Sequence, residues 1–178
     1  MNFRHFTLRS IAVGSVILIS TTVLTAPAAM AGHGRGAASG ILNTRTWSVC
    51  VSGWTDGQNG SHYAISQVSA TEVNASSVHC PGSYNVSSYA TSYPDSWYGL
   101  TSCNAWSGSR CASKSVKLNG RTIGTTTQWR KTATHEFGHV AGLGHRDGVN
   151  STCMASGAAP PIVTYFDQHD KDSINANY

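Results

Sequence analysis

Apolar and polar residues alternate along several short segments of the chain, a pattern typical of half-buried β-strands. The alternation predicts four strands, at residues 46–52 (TWSVCVS), 83–89 (SYNVSSY), 97–103 (WYGLTSC) and 115–119 (SVKLN). A Tyr-Pro-Asp turn at 93–95 separates the second strand from the third. The segments are short, so they predict a small sheet.

Two further segments have the apolar spacing or the end signals of a helix. Apolar residues recur at roughly helical intervals over 63–75, after turn-forming residues at 53–61. Residues 125–144 contain no proline and end in two glycines, so a helix there should stop near Gly142. Residues 103–113 are expected to form a loop. Strands with separated helices predict a single α+β domain, and no internal repeat is visible.

The N-terminus has the organisation of an export signal. A short basic segment precedes an apolar run at 11–25 that is too short, and too polar at its end, for a comfortable membrane span. The Ala-Met-Ala sequence at 29–31 has small residues where signal peptidase reads, which predicts that residues 1–31 are removed and the protein is secreted. The alternative is an uncleaved membrane anchor. Residues 32–45 are then a flexible lead-in to a folded domain at 46–178.

The charge balance narrows the range of partners. The 178 residues include twelve Lys and Arg against eight Asp and Glu, a formal charge of +4, and two of the cations lie in the first ten residues. The remaining ten cations are not clustered, which argues against a nucleic-acid arm or a polybasic membrane patch. We expect no nucleic-acid partner, no membrane contact after signal cleavage, and a monomer.

Five cysteines follow the predicted signal, and in an oxidising compartment they are candidates for disulfides. An odd number leaves one thiol over or pairs it between chains, and many pairing schemes are possible. Cys103 with Cys111 is the most local pair. We favour Cys50 with Cys80 beside it, which leaves Cys153 unpaired.

The chemistry is concentrated in the helix predicted at 125–144. His135 and His139 are four residues apart, so about 400° of rotation and about 6 Å of rise bring both imidazoles to one face, where they can bind one ion. Glu136 lies beside that face and can reach a metal-bound water without acting as a ligand. This is the HExxH arrangement of zinc enzymes.

A third histidine extends the motif. Gly142 follows His139 by three residues, and His145 follows Gly142 by three. His145 cannot share the face of a straight helix at that distance, so the chain must turn, and Gly142 tolerates the positive φ that such a turn requires. The alternative is a solvated helix with surface histidines and a glycine at its end. That alternative explains neither His145 nor Glu136.

The residues HEFGHVAGLGH resemble the extended zinc motif of the metzincin metallopeptidases, and within that clan they look most like the matrixins. Met154 matches the Met-turn beneath the zinc. The last twelve residues are similar to the closing helix of matrixin catalytic domains, with Asp167 as N-cap, Asp170 at the third position, and Ile174 and Tyr178 on one face. The resemblance implies a zincin domain with a small twisted mixed sheet, an active-site helix and a C-terminal helix.

The sequence also departs from the animal matrixins. A cysteine-switch propeptide is not expected, the His- and Asp-rich loop that binds structural zinc and calcium is missing, and Met154 is not followed by Tyr-Pro. The departures imply a compact, secreted bacterial relative. They leave calcium binding and the control of latency open.

The resemblance implies a secreted zinc endopeptidase with one catalytic Zn²⁺ and protein or peptide substrates. The ion would be held by His135, His139 and His145, with Glu136 as general base toward the zinc-bound water and Met154 as the floor of the site.

The same resemblance implies where a substrate would lie. An extended peptide would pair with strand 97–103, at Trp97, Tyr98, Gly99 and Leu100, although an ordinary sheet edge is nearly as good an interpretation of that strand. Residues 157–165 would form the wall of an apolar specificity pocket. Tyr165 would either donate to the oxyanion or be structural, and we favour the structural role.

Two other classes of function stay open. An extracellular carbohydrate- or cell-wall-binding module could use the five Trp and seven Tyr with a purely structural zinc, which would normally have a fourth protein ligand. A narrow-specificity hydrolase of cell-wall peptides would share the catalytic site. Zinc-dependent peptide cleavage would distinguish the zinc endopeptidase from the first alternative. A substrate panel would distinguish it from the second.

Overall fold

The computed structural model describes residues 40–157 and 162–178. The predicted signal peptide and residues 32–39 of the lead-in lie outside the described residues. Five strands and three helices follow one another in the order β1 (Thr46–Gly53), α1 (Thr55–Val68), β2 (Asn74–Val78), β3 (Val86–Thr91), β4 (Gly99–Ser107), β5 (Arg110–Asn119), α2 (Thr126–Val140) and α3 (Gln168–Asn177). The predicted α+β class is confirmed.

The strands form one mixed sheet in the order β2-β1-β3-β5-β4. The three pairings from β2 to β5 are parallel, and β4 pairs antiparallel with β5. β4 is therefore an edge strand. The predicted strand 97–103 overlaps this edge, but β4 begins at Gly99, after Trp97 and Tyr98, and runs further, to Ser107.

The core lies between the sheet and the helices α1 and α2. Trp47 of β1 is fully buried, with its ring 6.4 Å from that of Phe137 on α2 and 6.3 Å from that of Tyr178. Ile174 of α3 is also fully buried, so the closing helix packs its predicted apolar face on this core. No helix in the described part of the chain is both long enough and apolar enough to cross a membrane.

The first helix lies earlier in the chain than predicted. Residues 53–61 were expected to be turns because they are rich in glycine and polar residues, but α1 begins at Thr55. The glycines serve close packing instead. A Cβ on Gly57 would lie 2.1 Å from the Cβ of Ala90, and one on Gly60 would lie 2.9 Å from the carbonyl oxygen of Trp129. α1 therefore approaches β3 and α2 at distances that only glycine allows.

Two further segments differ from the prediction. The helix expected at 63–75 overlaps the edge strand β2, which runs from Asn74 to Val78 and was not predicted, because its largely exposed residues carry no apolar alternation. The loop expected at 103–113 is a hairpin between β4 and β5, which turns at Gly108 with φ +61°.

The cysteines pair as favoured from the sequence. Cys50 bonds to Cys80 and Cys103 to Cys111, with Cα separations of 5.4 and 5.8 Å, and Cys153 is a buried free thiol. The described end of the lead-in packs on the domain, because Leu42 is fully buried and forms a bridge with Cys111.

Candidate metal centre

The helix α2 begins at a capping box and carries the first two histidines. The Thr125 hydroxyl accepts from the Gln128 backbone N–H, and the Gln128 side chain accepts from the Thr125 N–H, which satisfies two donors at the start of the helix. Ten residues further on, His135 and His139 project from one face and are buried. The spacing argument from the sequence is confirmed.

The three histidine side chains converge through their Nε2 atoms. The Nε2 of His139 lies 3.1 Å from that of His135 and 3.1 Å from that of His145. Zinc–nitrogen bonds of 2.0–2.1 Å in tetrahedral geometry place two ligand nitrogens about 3.3 Å apart. The separation thus fits three ligands around one ion.

Hydrogen bonds on the far side of two rings determine which nitrogen carries the proton. His135 Nδ1 lies 2.8 Å from the carbonyl oxygen of Cys153, and His139 Nδ1 lies 2.7 Å from that of Leu143. A carbonyl oxygen can only accept, so each Nδ1 is the protonated nitrogen and each Nε2 has a bare lone pair. Lone pairs that face each other at 3.1 Å repel, and a cation between them removes that repulsion. The donor set fits a divalent metal such as zinc.

Burial keeps both rings neutral, as metal ligands must be. Burial lowers the pKa of His135 well below its usual value, and the nearby charge of Lys131 lowers that pKa further. Burial also lowers the pKa of His139 to about 4.

The turn after α2 brings in the third histidine. α2 ends at Val140, and Gly142 has φ +91°, the left-handed conformation expected for this position. The turn also packs tightly, because a Cβ on Gly142 would lie 2.4 Å from Cγ1 of Ile41. His145 then approaches from a loop, with its Nδ1 3.1 Å from the hydroxyl of Ser156.

Glu136 lies beside the three histidines, and its carboxylate is held by the edge strand. Thr101 of β4 lies with its hydroxyl 2.7 Å from Glu136 Oε2 and 2.9 Å from the Glu136 backbone oxygen. Gly99 of β4 leaves room for the same carboxylate, since a Cβ there would lie 2.5 Å from Oε1. Burial raises the pKa of Glu136 to about 7, although the hydrogen bond with Thr101 opposes the rise.

Met154 packs against the middle of the metal-binding helix. Its side chain is fully buried, and a Cβ on Gly138 would lie 2.4 Å from the Met154 sulfur. Gly138 stands between His135 and His139 in the sequence, so Met154 supports α2 where the two ligands leave it. The predicted role of Met154 as a floor agrees with this position.

A cleft of about 350 Å³ opens over the histidines and Glu136. All four residues predicted on the edge strand line this cleft, namely Trp97, Tyr98, Gly99 and Leu100. Gly157 also lines the cleft, while 158–161 of the predicted pocket wall lie outside the described residues. Tyr165 is not among the lining residues, and its side chain is 51% exposed.

Four cleft residues were not predicted from the sequence, namely Thr101, Lys131, Thr132 and Ser156, the last of which also contacts His145. Only Lys131 and Thr132 had a signal in the sequence, because they precede His135 by four and three residues and therefore lie near its helix face. Thr101 and Ser156 come from other elements, and only the tertiary structure brings them to α2.

A second cluster of possible metal ligands, two aspartates and a histidine, lies at the start of α3, but an arginine side chain already contacts both aspartates. Asp167, His169 and Asp170 are close enough to hold an ion. Arg146 Nη1 lies 2.7 and 2.8 Å from the two carboxylate oxygens of Asp167 and 2.9 Å from Oδ1 of Asp170. The Arg146 guanidinium thus contacts both carboxylates and shares one positive charge between them.

Comparison with known proteins supports the fold. No protein-family model matches the sequence, and no curated protein matches it. Among solved structures, archaemetzincin from Methanopyrus kandleri is similar, with a TM-score of 0.55 over 76% of this chain and 97% of that protein, at 14% sequence identity. At that identity the likeness shows the fold alone. The chain therefore has a metzincin-like fold, as the HEFGHVAGLGH motif implied.

Proposed function

We propose that this protein is a secreted, zinc-dependent endopeptidase of the compact, matrixin-like kind. The observation that carries the proposal is the convergence of three imidazole Nε2 atoms beside a buried glutamate, inside a cleft that an edge strand borders. A zinc peptidase needs each of these parts. The matrixin-like subtype rests on the resemblance of the motif around His135 to His145 and on Met154.

Zinc bound by the three histidines would supply Lewis-acid polarisation of the scissile carbonyl and a more acidic water. The chain's own contribution is proton transfer and orientation. The Glu136 carboxylate would accept a proton from the attacking water and donate it to the nitrogen of the leaving amine. Burial raises the pKa of Glu136, which makes its carboxylate a stronger base than an exposed glutamate. Thr101 would hold Oε2 during the transfer.

The substrate would bind as an added strand. β4 pairs with β5 on one side only, so its other edge offers backbone donors and acceptors to an extended peptide. Trp97, Tyr98, Gly99 and Leu100 line the cleft at this edge, which supports protein or peptide substrates. The two disulfides support an oxidising, extracellular location.

Replacement of Glu136 tests the mechanism. Glu136→Ala should keep zinc and the fold but reduce peptide hydrolysis by about 10²- to 10⁴-fold, the usual contribution of a general base. The measurements are zinc content, thermal melting, and cleavage of casein and a quenched peptide, with wild type alongside. A chelator should abolish the wild-type activity.

The matched control is His139→Ala, which should lose the metal whether the ion is catalytic or structural. Equal hydrolysis by wild type and Glu136→Ala would contradict the proposal. In that case the structural-zinc alternative would gain support, because it assigns Glu136 no role beyond a buried charge.

A further inference from the structure

Lys131 is a cation in the wall of the cleft that the proposed mechanism does not use. It lies on α2 one turn before His135, so its side chain follows the same helix face as the two helical ligands. The residue is only 7% exposed, yet it lines the cleft. The ammonium group is therefore largely removed from bulk water and still borders the space that a substrate would fill.

The ammonium group has few partners for its three N–H donors. Nζ donates to the carbonyl oxygen of Ala155 at 2.7 Å, just after Met154. Glu136 and Asp147 attract the charge from a distance, but neither carboxylate forms an ion pair with Lys131 within 4.0 Å in the described parts of the chain. Residues 1–39 and 158–161 contain no Asp or Glu, so they cannot supply a carboxylate side chain.

A buried charge without a counterion is costly, and a carboxylate from outside the chain would remove that cost. The surrounding wall is well fixed. The backbone N–H of Ser156 donates to Asp147 at 2.8 Å, and the Ser156 hydroxyl contacts His145. The segment after Met154 therefore holds the Lys131 ammonium in place at the cleft, which favours recognition of a charged group over simple solvation.

We propose that Lys131 is a specificity-determining residue that binds a carboxylate of the peptide substrate, next to the scissile bond. This inference rests on the proposed peptidase function. The carboxylate can belong to an Asp or Glu side chain or to a free C-terminus. Selectivity for acidic peptides then replaces the apolar pocket expected from residues 157–165.

The experiment compares C-terminally amidated, quenched peptides that carry Glu or its neutral isostere Gln at each position flanking the cleavage site. Wild type should show a Glu:Gln ratio of kcat/KM of about tenfold, which corresponds to about 1.4 kcal/mol. Lys131→Met, of similar length and no charge, should reduce the ratio to about one, and Lys131→Arg should keep most of it. A second peptide pair, with a free or amidated C-terminus directly after the scissile bond, identifies the source of the carboxylate.

The ratio is measured within one enzyme, so it does not depend on the amount of folded protein. If Lys131 only anchors Ala155, Lys131→Met should slow cleavage of both peptides equally and leave the ratio unchanged, which would overturn the inference. The matched control is Arg130→Met, which removes the neighbouring cation. Arg130 stacks on Tyr63 outside the cleft, so the ratio should not change.

A binding measurement separates failure of this inference from failure of the proposed function. Glu136→Gln should cut at least about 100-fold more slowly than wild type, so calorimetry can measure its affinity for the Glu and Gln peptides, with and without Lys131→Met. If wild type cuts no peptide but Glu136→Gln binds the Glu peptide more tightly, and only while Lys131 is present, the peptidase proposal fails and the carboxylate site stands. The proposed carboxylate site is wrong if the Glu:Gln ratio of kcat/KM in wild type is one or less and Glu136→Gln binds the two peptides with equal affinity.

Discussion

Arg146 holds together the loop of the third histidine and the start of the closing helix, and its replacement by Met should destabilise the protein strongly. Its guanidinium contacts both Asp167 and Asp170 at 2.7–2.9 Å. Asp170 is fully buried, and the Arg146 side chain is only 12% exposed. Arg146→Met keeps the aliphatic packing and removes the charge, so two carboxylates would face each other across α3's first turn.

The size of the effect follows from burial. Removal of one partner from a buried ion pair costs about 3–5 kcal/mol, because the other charge stays buried without compensation. Asp170 would keep its hydrogen bonds with the Thr152 hydroxyl and the Asp167 backbone N–H, which favours the lower end, about 3 kcal/mol. A domain with about 5–15 kcal/mol of total stability would lose a large part of it.

Urea unfolding of the zinc-loaded proteins measures this loss. The control is Arg45→Met, which removes a surface pair at 3.8 Å whose side chains are about 60% exposed and should change stability by less than about 0.5 kcal/mol. Arg146→Met should also bind zinc more weakly, since the loop next to His145 loses its side-chain contacts with Asp167 and Asp170 and keeps only backbone bonds such as that from the Arg146 N–H to the Met154 carbonyl. A stability within 0.5 kcal/mol of wild type would refute the reasoning.

The same cluster predicts a loss of stability in acid. Burial acts to raise the pKa of Asp167, but hydrogen bonds from the Asp170 N–H and from Arg146 outweigh it, and the net pKa is lowered. A carboxyl group whose pKa is lower in the folded state binds fewer protons there. Its contribution to the stability of the fold is complete above the unfolded pKa of about 3.9, and it is lost as the pH falls through the pKa of the folded state. Asp167→Asn should therefore have a lower free energy of unfolding in urea than wild type at pH 5. The two values should converge toward pH 2.

Three further outcomes follow from single contacts. Thr101→Val should lower kcat about tenfold with little change in KM, because Glu136 loses a hydrogen bond, and Thr101→Ser should restore most of it; equal losses in both variants would contradict this role. Cys153 should not react with a thiol reagent in the folded protein and should react once it is unfolded; labelling of the native protein would contradict its burial. Gly138→Ala should lower the free energy of unfolding in urea by about 1–3 kcal/mol, because its Cβ would meet the Met154 sulfur at 2.4 Å. This cost should exceed the gain from the better helix propensity of alanine. A stabilised variant would show that Met154 moves freely.

Features that depend on residues close together in the sequence were predicted correctly. His135, His139 and Gly142 were placed correctly because helical rotation and a glycine turn depend on neighbouring residues only. The closing helix was predicted from the resemblance to the matrixins, and its start is marked by a local capping box of Asp167 and Asp170. These features depend on spacing within about four residues, and spacing is what a sequence displays.

The errors arose where distant contacts decide the conformation. Gly57 and Gly60 belong to a helix because Ala90 and Trp129 lie against them, and nothing near them in the sequence reveals those neighbours. The polar strand β2 forms because β1 lies beside it in parallel register. The same limit applies to Thr101, which reaches Glu136 only through the sheet.

A metal ion held by His135, His139 and His145 would link α2 to the loop that follows it. His135 donates to the Cys153 carbonyl and His139 to the Leu143 carbonyl, so the ring orientations are fixed by main-chain groups of the two loops that follow α2. The Nε2 lone pairs of His135 and His139 then face each other at 3.1 Å, a repulsion that a bound cation would remove. Metal binding relieves that repulsion only in the folded arrangement, since no such site exists in the unfolded chain. Zinc should therefore stabilise the loops of residues 143–157 as well as the site, and with them the cleft wall that carries the proposed carboxylate site.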